Sequence, residues 1–167
     1  MAKYILSAFA DEGSPVFKNQ LEYLTSRGIK FIEPRNIDGT NVSSLTPEQA
    51  SDAKKLLDSY GIGVSSIGSP VGKISVDDDF AEHLKLFENT LDVARTFEAK
   101  NIRMFSFFYP ENTLTTAHRD AVMARLEILW EMADKKGITL CHENEKSIYG
   151  ETPESCLDIM KHFNGKI

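Results

Sequence analysis

Tryptophan occurs once and cysteine twice in this chain of 167 residues. Cys141 and Cys156 match neither a disulfide framework nor a metal-binding spacing. Buried, reduced thiols in a cytoplasmic protein are the expectation. Basic residues are also scarce. Nineteen Lys and Arg against 25 Asp and Glu leave a net charge of −6. Nucleic acid and anionic membrane both demand clustered cations, so neither is expected as a partner. A small anionic substrate stays open, because one or two local cations suffice. No apolar stretch is long enough to span a bilayer. Lys3 and the run Tyr4-Ile5-Leu6-Ser7-Ala8-Phe9-Ala10 imitate a signal peptide. The run is too short, and Asp11 and Glu12 follow at once. A buried first strand, about Tyr4 to Phe9, fits better. There is no linker, low-complexity tract or second domain. Residues 1–167 are read as a single domain, long enough to bury a real core.

What is present is a repeat of architecture. A short apolar stretch follows a helix-ending residue in Gly28-Ile29-Lys30-Phe31-Ile32-Glu33, Gly61-Ile62-Gly63-Val64 and Gly137-Ile138-Thr139-Leu140. Asn101-Ile102-Arg103-Met104-Phe105 is the same element without glycine. Polar loop residues and a helical pattern follow each. Strands alternating with helices imply an α/β fold with a parallel sheet. Five such units at about 33 residues each make about five eighths of a (β/α)8 barrel. The chain ends at Gly165-Lys166-Ile167, where a sixth strand would begin.

Helix boundaries follow from capping chemistry. Ser14 and Pro15 open the first helix, with Phe17, Leu21 and Leu24 inward and Gly28 ending it. Thr46-Pro47-Glu48-Gln49 opens the second, whose stripe is Ala53, Leu56, Leu57 and Tyr60. Asp77, Asp78 and Asp79 cap the third and favour its dipole, and the further ligands of a calcium loop are missing. Its core stripe is Phe80, Leu84, Phe87, Leu91 and Ala94. The fourth runs from about Thr116 to Lys136, with Val122, Leu126, Leu129 and Ala133 inward. Thr152-Pro153-Glu154 opens the fifth, whose inward residues are Leu157, Met160 and Phe163.

In parallel α/β architectures ligands bind beyond the carboxyl ends of the strands. Those ends carry Ala10-Asp11-Glu12, Glu33-Pro34-Arg35, Ser66-Ile67-Gly68-Ser69, Ser106-Phe107-Phe108-Tyr109 and His142-Glu143-Asn144-Glu145. Glu33 and Ser106 either line the bowl and hydrogen-bond a ligand or serve structure. In the second case Glu33 pairs with Arg35 or Arg103, and Ser65, Ser66 and Ser106 pack a crowded interior. His142 alternates to the face opposite Glu143 and reads as a structural histidine. Lys146 either binds a substrate phosphate or faces solvent.

Cys141-His142-Glu143-Asn144-Glu145-Lys146, with Ile148-Tyr149-Gly150-Glu151-Thr152-Pro153, resembles the fifth strand and loop of the xylose-isomerase-like sugar phosphate isomerase/epimerase superfamily of TIM barrels. Ile102-Arg103-Met104-Phe105-Ser106 resembles its fourth strand, and Ile32-Glu33-Pro34-Arg35 with Asp38-Gly39 its second. The resemblance covers the whole chain. It implies isomerisation or epimerisation of a sugar or sugar phosphate by metal-assisted proton transfer. It also implies one divalent metal (manganese, magnesium, zinc or cobalt) with Glu143 as both a ligand and a proton carrier. The other three ligands belong to strands six to eight, so the metal site is incomplete in this chain. This chain alone is expected to be inactive and to self-associate through open sheet edges, as a homo-oligomer.

A flavodoxin-like receiver would need an acceptor Asp where Ser65 to Ser69 stand. A flavin site would need a Gly- or Thr-rich loop where the acidic Ala10 to Pro15 stand. An apurinic-site endonuclease would need histidines near Ser69 and Phe107. A non-catalytic binding or scaffold domain is the remaining alternative.

Overall fold

The computed structural model describes residues 4–109 and 114–167, so Lys3 lies outside the described residues. In chain order the strands are β1 (Phe31–Ile32), β2 (Asn36–Ile37), β3 (Thr40–Asn41), β4 (Gly63–Val64), β5 (Ile67–Gly68), β6 (Asn101–Met104) and β7 (Thr139–His142). The helices are α1 (Phe17–Ser26), α2 (Pro47–Tyr60), α3 (Phe80–Thr96), α4 (Thr116–Asp134) and α5 (Pro153–His162). This is the strand–helix alternation of the expected barrel type.

Capping places most helix ends where the sequence puts them. Thr46 and Gln49 form a reciprocal capping box on α2, and Gly61 ends it in the left-handed conformation at φ 62°. Thr152 accepts from the Ser155 N–H at the start of α5. Asp79 accepts from the Ala81 N–H at the start of α3.

Four expectations are corrected. First, α1 begins at Phe17, not at Pro15. Ser14 Oγ accepts from Val16 N–H (3.2 Å), and Asp38 Oδ1 takes the Phe17 N–H at 2.8 Å. That cap comes from a distant segment, so local reading misses it. Second, Tyr4 to Phe9 form no strand. Tyr4, Ile5 and Leu6 are exposed, and a strand needs a partner ladder that they lack among the described residues. Third, α5 buries Ile159 and Phe163, while Leu157 and Met160 lie outward at 42% and 49% exposure. Ile159 and Phe163 are also four residues apart, so helical spacing fits that face equally and packing selects it. Fourth, Cys141 is exposed and Cys156 only half-buried, and the two form no disulfide.

The residues divide into two compact units that alternate along the chain. The first comprises 1–69 and 89–102. In it β1 pairs in parallel with β4, Phe31 opposite Gly63 and Ile32 opposite Val64. The β2–β3 hairpin is antiparallel, and α1 packs on α2. Phe17, Leu21, Leu24, Ile32, Leu45 and Leu57 are at most 1% exposed. Each such side chain contributes about 1.5–3 kcal/mol.

The second unit comprises 70–88 and 103–167. In it β7 runs beside the end of β6, and the Glu143 N–H continues the ladder to the Met104 carbonyl at 3.0 Å. The segment from Val71 to Val76 follows the backbone beyond β6. Phe105 N–H bonds Val71 O, Phe107 N–H bonds Gly72 O and Phe108 N–H bonds Ile74 O. Gly72 allows that approach, because its φ is +87° and a Cβ would overlap the Phe105 carbonyl. Phe105, Phe107, Val122, Leu126, Leu129 and Ile148 are fully buried.

Candidate active site

The carboxyl ends of β6 and β7 bring together the densest set of chemical groups, all within the second unit. Side chains alternate between strand faces. Arg103 and Phe105 share one face, and Met104 and Ser106 the other. Glu143, one residue past β7, joins the first: its carboxylate accepts from Arg103 Nη1 at 3.2 and 3.4 Å. The Arg103 side chain is only 15% exposed and Glu143 41%, so the guanidinium is held by the protein while the carboxylate reaches solvent. Arg103 also lies over the Phe105 ring, 4.7 Å from its centroid. Lys73 Nζ sits 4.2 Å from the same ring centroid and 2.7 Å from Glu145 Oε2. Each of the two carboxylates is thereby matched by one cation.

The opposite face holds a buried polar cluster. Ser106 Oγ accepts from the Gly150 N–H at 2.7 Å and lies 3.0 Å from His142 Nε2. Burial drives the His142 imidazole down to about 4, opposed in part by Glu143, so the ring is neutral near pH 7. Phe107, the next residue, is fully buried with φ 65°, an uncommon conformation for a bulky side chain. Its carbonyl accepts the Tyr149 N–H. Beside this cluster Asp158 takes two bonds from Arg119, at 2.7 and 2.9 Å, and one from the Tyr149 hydroxyl.

The first unit carries its own strand-end cluster. Glu33 follows β1, is half-buried, and bonds the Ala8 carbonyl through its N–H. Neither cation weighed for it is its partner. Arg35 pairs with Asp11 (2.9 Å) and Glu12 (3.1 Å) and lies over Phe9, while Arg103 takes Glu143. Asp11 is further held by the Asn36 amide.

The predicted site residues therefore separate. Glu143 stands on a strand end facing Arg103. Lys146 is exposed, and no ion pair to it forms among the described residues. Ser106 is buried, on the face of His142, with its hydroxyl engaged by protein groups, so it is a support and not a sugar-facing surface. Two-residue alternation from Arg103 already carried that signal. The pairing of Arg103 with Glu143 is set by the register of β6 against β7, and Lys73 carried no sequence signal, because its approach depends on the loop laid along β6.

A divalent metal at Glu143 would need further ligands. Among the described residues no three His, Cys, Asp or Glu side chains gather to hold one. The cation facing Glu143 is Arg103, so these residues by themselves do not fit a metal centre.

The sequence profile of the family described as xylose isomerase-like TIM barrel matches residues 21–166. No curated protein matches the chain. Similar folds are found in a xylose isomerase-like TIM barrel protein from Mycobacterium smegmatis in complex with magnesium, with 19% identity and TM-score 0.75, covering 96% of this chain and 61% of that one. A probable 3-DHS dehydratase of petrobactin synthesis from Bacillus anthracis has 17% identity and TM-score 0.78, over 96% of this chain and 60% of that one. A D-allulose 3-epimerase from Methylomonas sp. in complex with D-allulose has 16% identity and TM-score 0.71, over 99% and 61%. The chain spans about 60% of the length of these solved relatives.

Proposed function

Since the chain belongs to the xylose isomerase-like TIM barrel family, we propose that it is the part of a sugar or sugar-phosphate isomerase or epimerase that carries a proton-transfer carboxylate, Glu143. The observation that carries this reading is the pair at the ends of β6 and β7. Glu143 is solvent-accessible at a strand's carboxyl end, and a shielded, fixed arginine faces it. In this barrel type that end is where substrates bind. A carboxylate there takes a proton from the carbon beside a carbonyl and returns it. Arg103 holds the carboxylate in place. The epimerase crystallised with D-allulose supports a small sugar as the ligand class.

The magnesium in the mycobacterial relative supports a divalent ion in the whole protein, with Glu143 as one ligand of a set that the described residues do not complete. Glu33 is proposed to meet sugar hydroxyls, and Lys146 a phosphate or the outer edge of the sugar. The chain threads between its two units and back, which supports reading 1–167 as one domain. Cys141 and Cys156 as thiols support a reducing, cytoplasmic setting. Exposed Tyr4, Ile5 and Leu6, at 87%, 70% and 68%, support self-association of this chain.

The test is turnover of D-allulose and D-fructose by the whole protein with added magnesium or manganese. Glu143→Gln is expected to lose about a hundredfold or more in kcat while keeping the fold. Unchanged turnover in that variant refutes the assignment.

A further inference from the structure

The segment from Glu143 to Gly150 is anchored at both ends by a single side-chain atom. Ser106 Oγ accepts the Gly150 N–H at 2.7 Å and sits 3.0 Å from His142 Nε2, the residue immediately before Glu143. Ser106 is fully buried, so its hydroxyl hydrogen needs an acceptor within the protein. Gly150 is a donor, which leaves His142 Nε2 to accept. The neutral imidazole is then protonated on Nδ1. Gly150 is built for the approach: a Cβ there would overlap the His142 ring and lie 2.9 Å from Ser106 Oγ. The segment is also held by Arg103 on Glu143, Lys73 on Glu145, the Ser147 N–H on the Glu151 carboxylate and the Tyr149 N–H on the Phe107 carbonyl, but none of these joins its two ends.

We propose that Ser106 is a positioning residue for Glu143, fixing through His142 and Gly150 the path of the segment whose carboxylate Arg103 then holds. This rests on the reading of Glu143 as the proton carrier. Ser106 touches no substrate in this role. It acts by removing freedom from the 143–150 segment, and a small misplacement of a reacting group is enough to slow the chemistry.

The test uses 15N NMR of the imidazoles and amide hydrogen exchange on the intact protein, in wild type and Ser106→Ala. The wild type is expected to show His142 protonated on Nδ1 and a protected Gly150 amide. Ser106→Ala keeps its helical circular dichroism but exchanges the Gly150 amide on the order of tenfold faster or more, and His142 loses its fixed tautomer. In sugar turnover the variant loses about tenfold or more in kcat with KM unchanged. A wild-type His142 protonated on Nε2 overturns the proposal, and that measurement holds even if the variant fails to fold. Unchanged Gly150 exchange in Ser106→Ala overturns it too. A wild type without sugar turnover but with the expected tautomer and exchange supports the anchor and refutes the isomerase reading.

Discussion

Lowering the pH from about 7 to about 4 is expected to weaken the fold through His142. The imidazole has an ordinary pKa of 6.5, and burial brings it to about 4 in the folded protein, with Glu143 pulling weakly the other way. The folded state therefore binds the proton less tightly than the unfolded chain. The contribution is fully present above pH 6.5 and is lost as the pH falls toward 4. Each decade of proton affinity is worth about 1.36 kcal/mol, which sets the loss at about 3 kcal/mol, and residual hydration of a half-buried ring trims it to about 2–3 kcal/mol. A domain holds only about 5–15 kcal/mol in total. At a urea slope of about 2 kcal/mol/M the midpoint should fall by about 1 M. The assay is urea denaturation across this pH range for wild type and His142→Gln. Carboxylates, and His83, which burial and Arg125 also hold below its usual value, titrate alike in both proteins. The difference in their pH slopes therefore isolates His142. Equal slopes, or an NMR titration of His142 near pH 6.5, would refute the reasoning.

At the alkaline end, burial and the bond to Asp158 raise Tyr149 to about 12. Stability is fully present below about pH 10 and falls as the pH rises toward 12, and Tyr149→Phe should abolish that loss in the same denaturation assay. Gly72→Ala should leave no folded protein by circular dichroism, because its Cβ would overlap the Phe105 carbonyl at a positive φ. Gly61→Ala, with open space around it, should cost only about 1 kcal/mol. Ile159→Ala should cost about 2–4 kcal/mol in thermal denaturation, and Leu157→Ala well under half of that; the reverse order would restore the helix phase that spacing first suggested.

The alternation of strand and helix, the Thr46 capping box, the Gly61 stop and the position of Glu143 after a strand were all legible in the sequence. Each depends on residues within one turn or one pleat of each other, where local sterics and hydrogen bonding decide. The separation of Ser106 from Glu143 was half-legible: counting by two sets Ser106 opposite Arg103, but only the register of β6 on β7 sets Glu143 on the Arg103 side. Other features were set by groups far apart in the chain. Asp38 caps α1, which moves its start from Pro15 to Phe17. Arg35 chooses Asp11 and Glu12 over Glu33. Lys73 reaches Glu145 because the Val71–Val76 segment is laid along the extension of β6, and Gly150 meets Ser106 because a glycine there leaves room for the His142 ring. Sequence determined which elements form, because propensity and capping are short-range. Tertiary structure decided which charges pair and which hydroxyl is buried, because those depend on distances that only the folded chain creates.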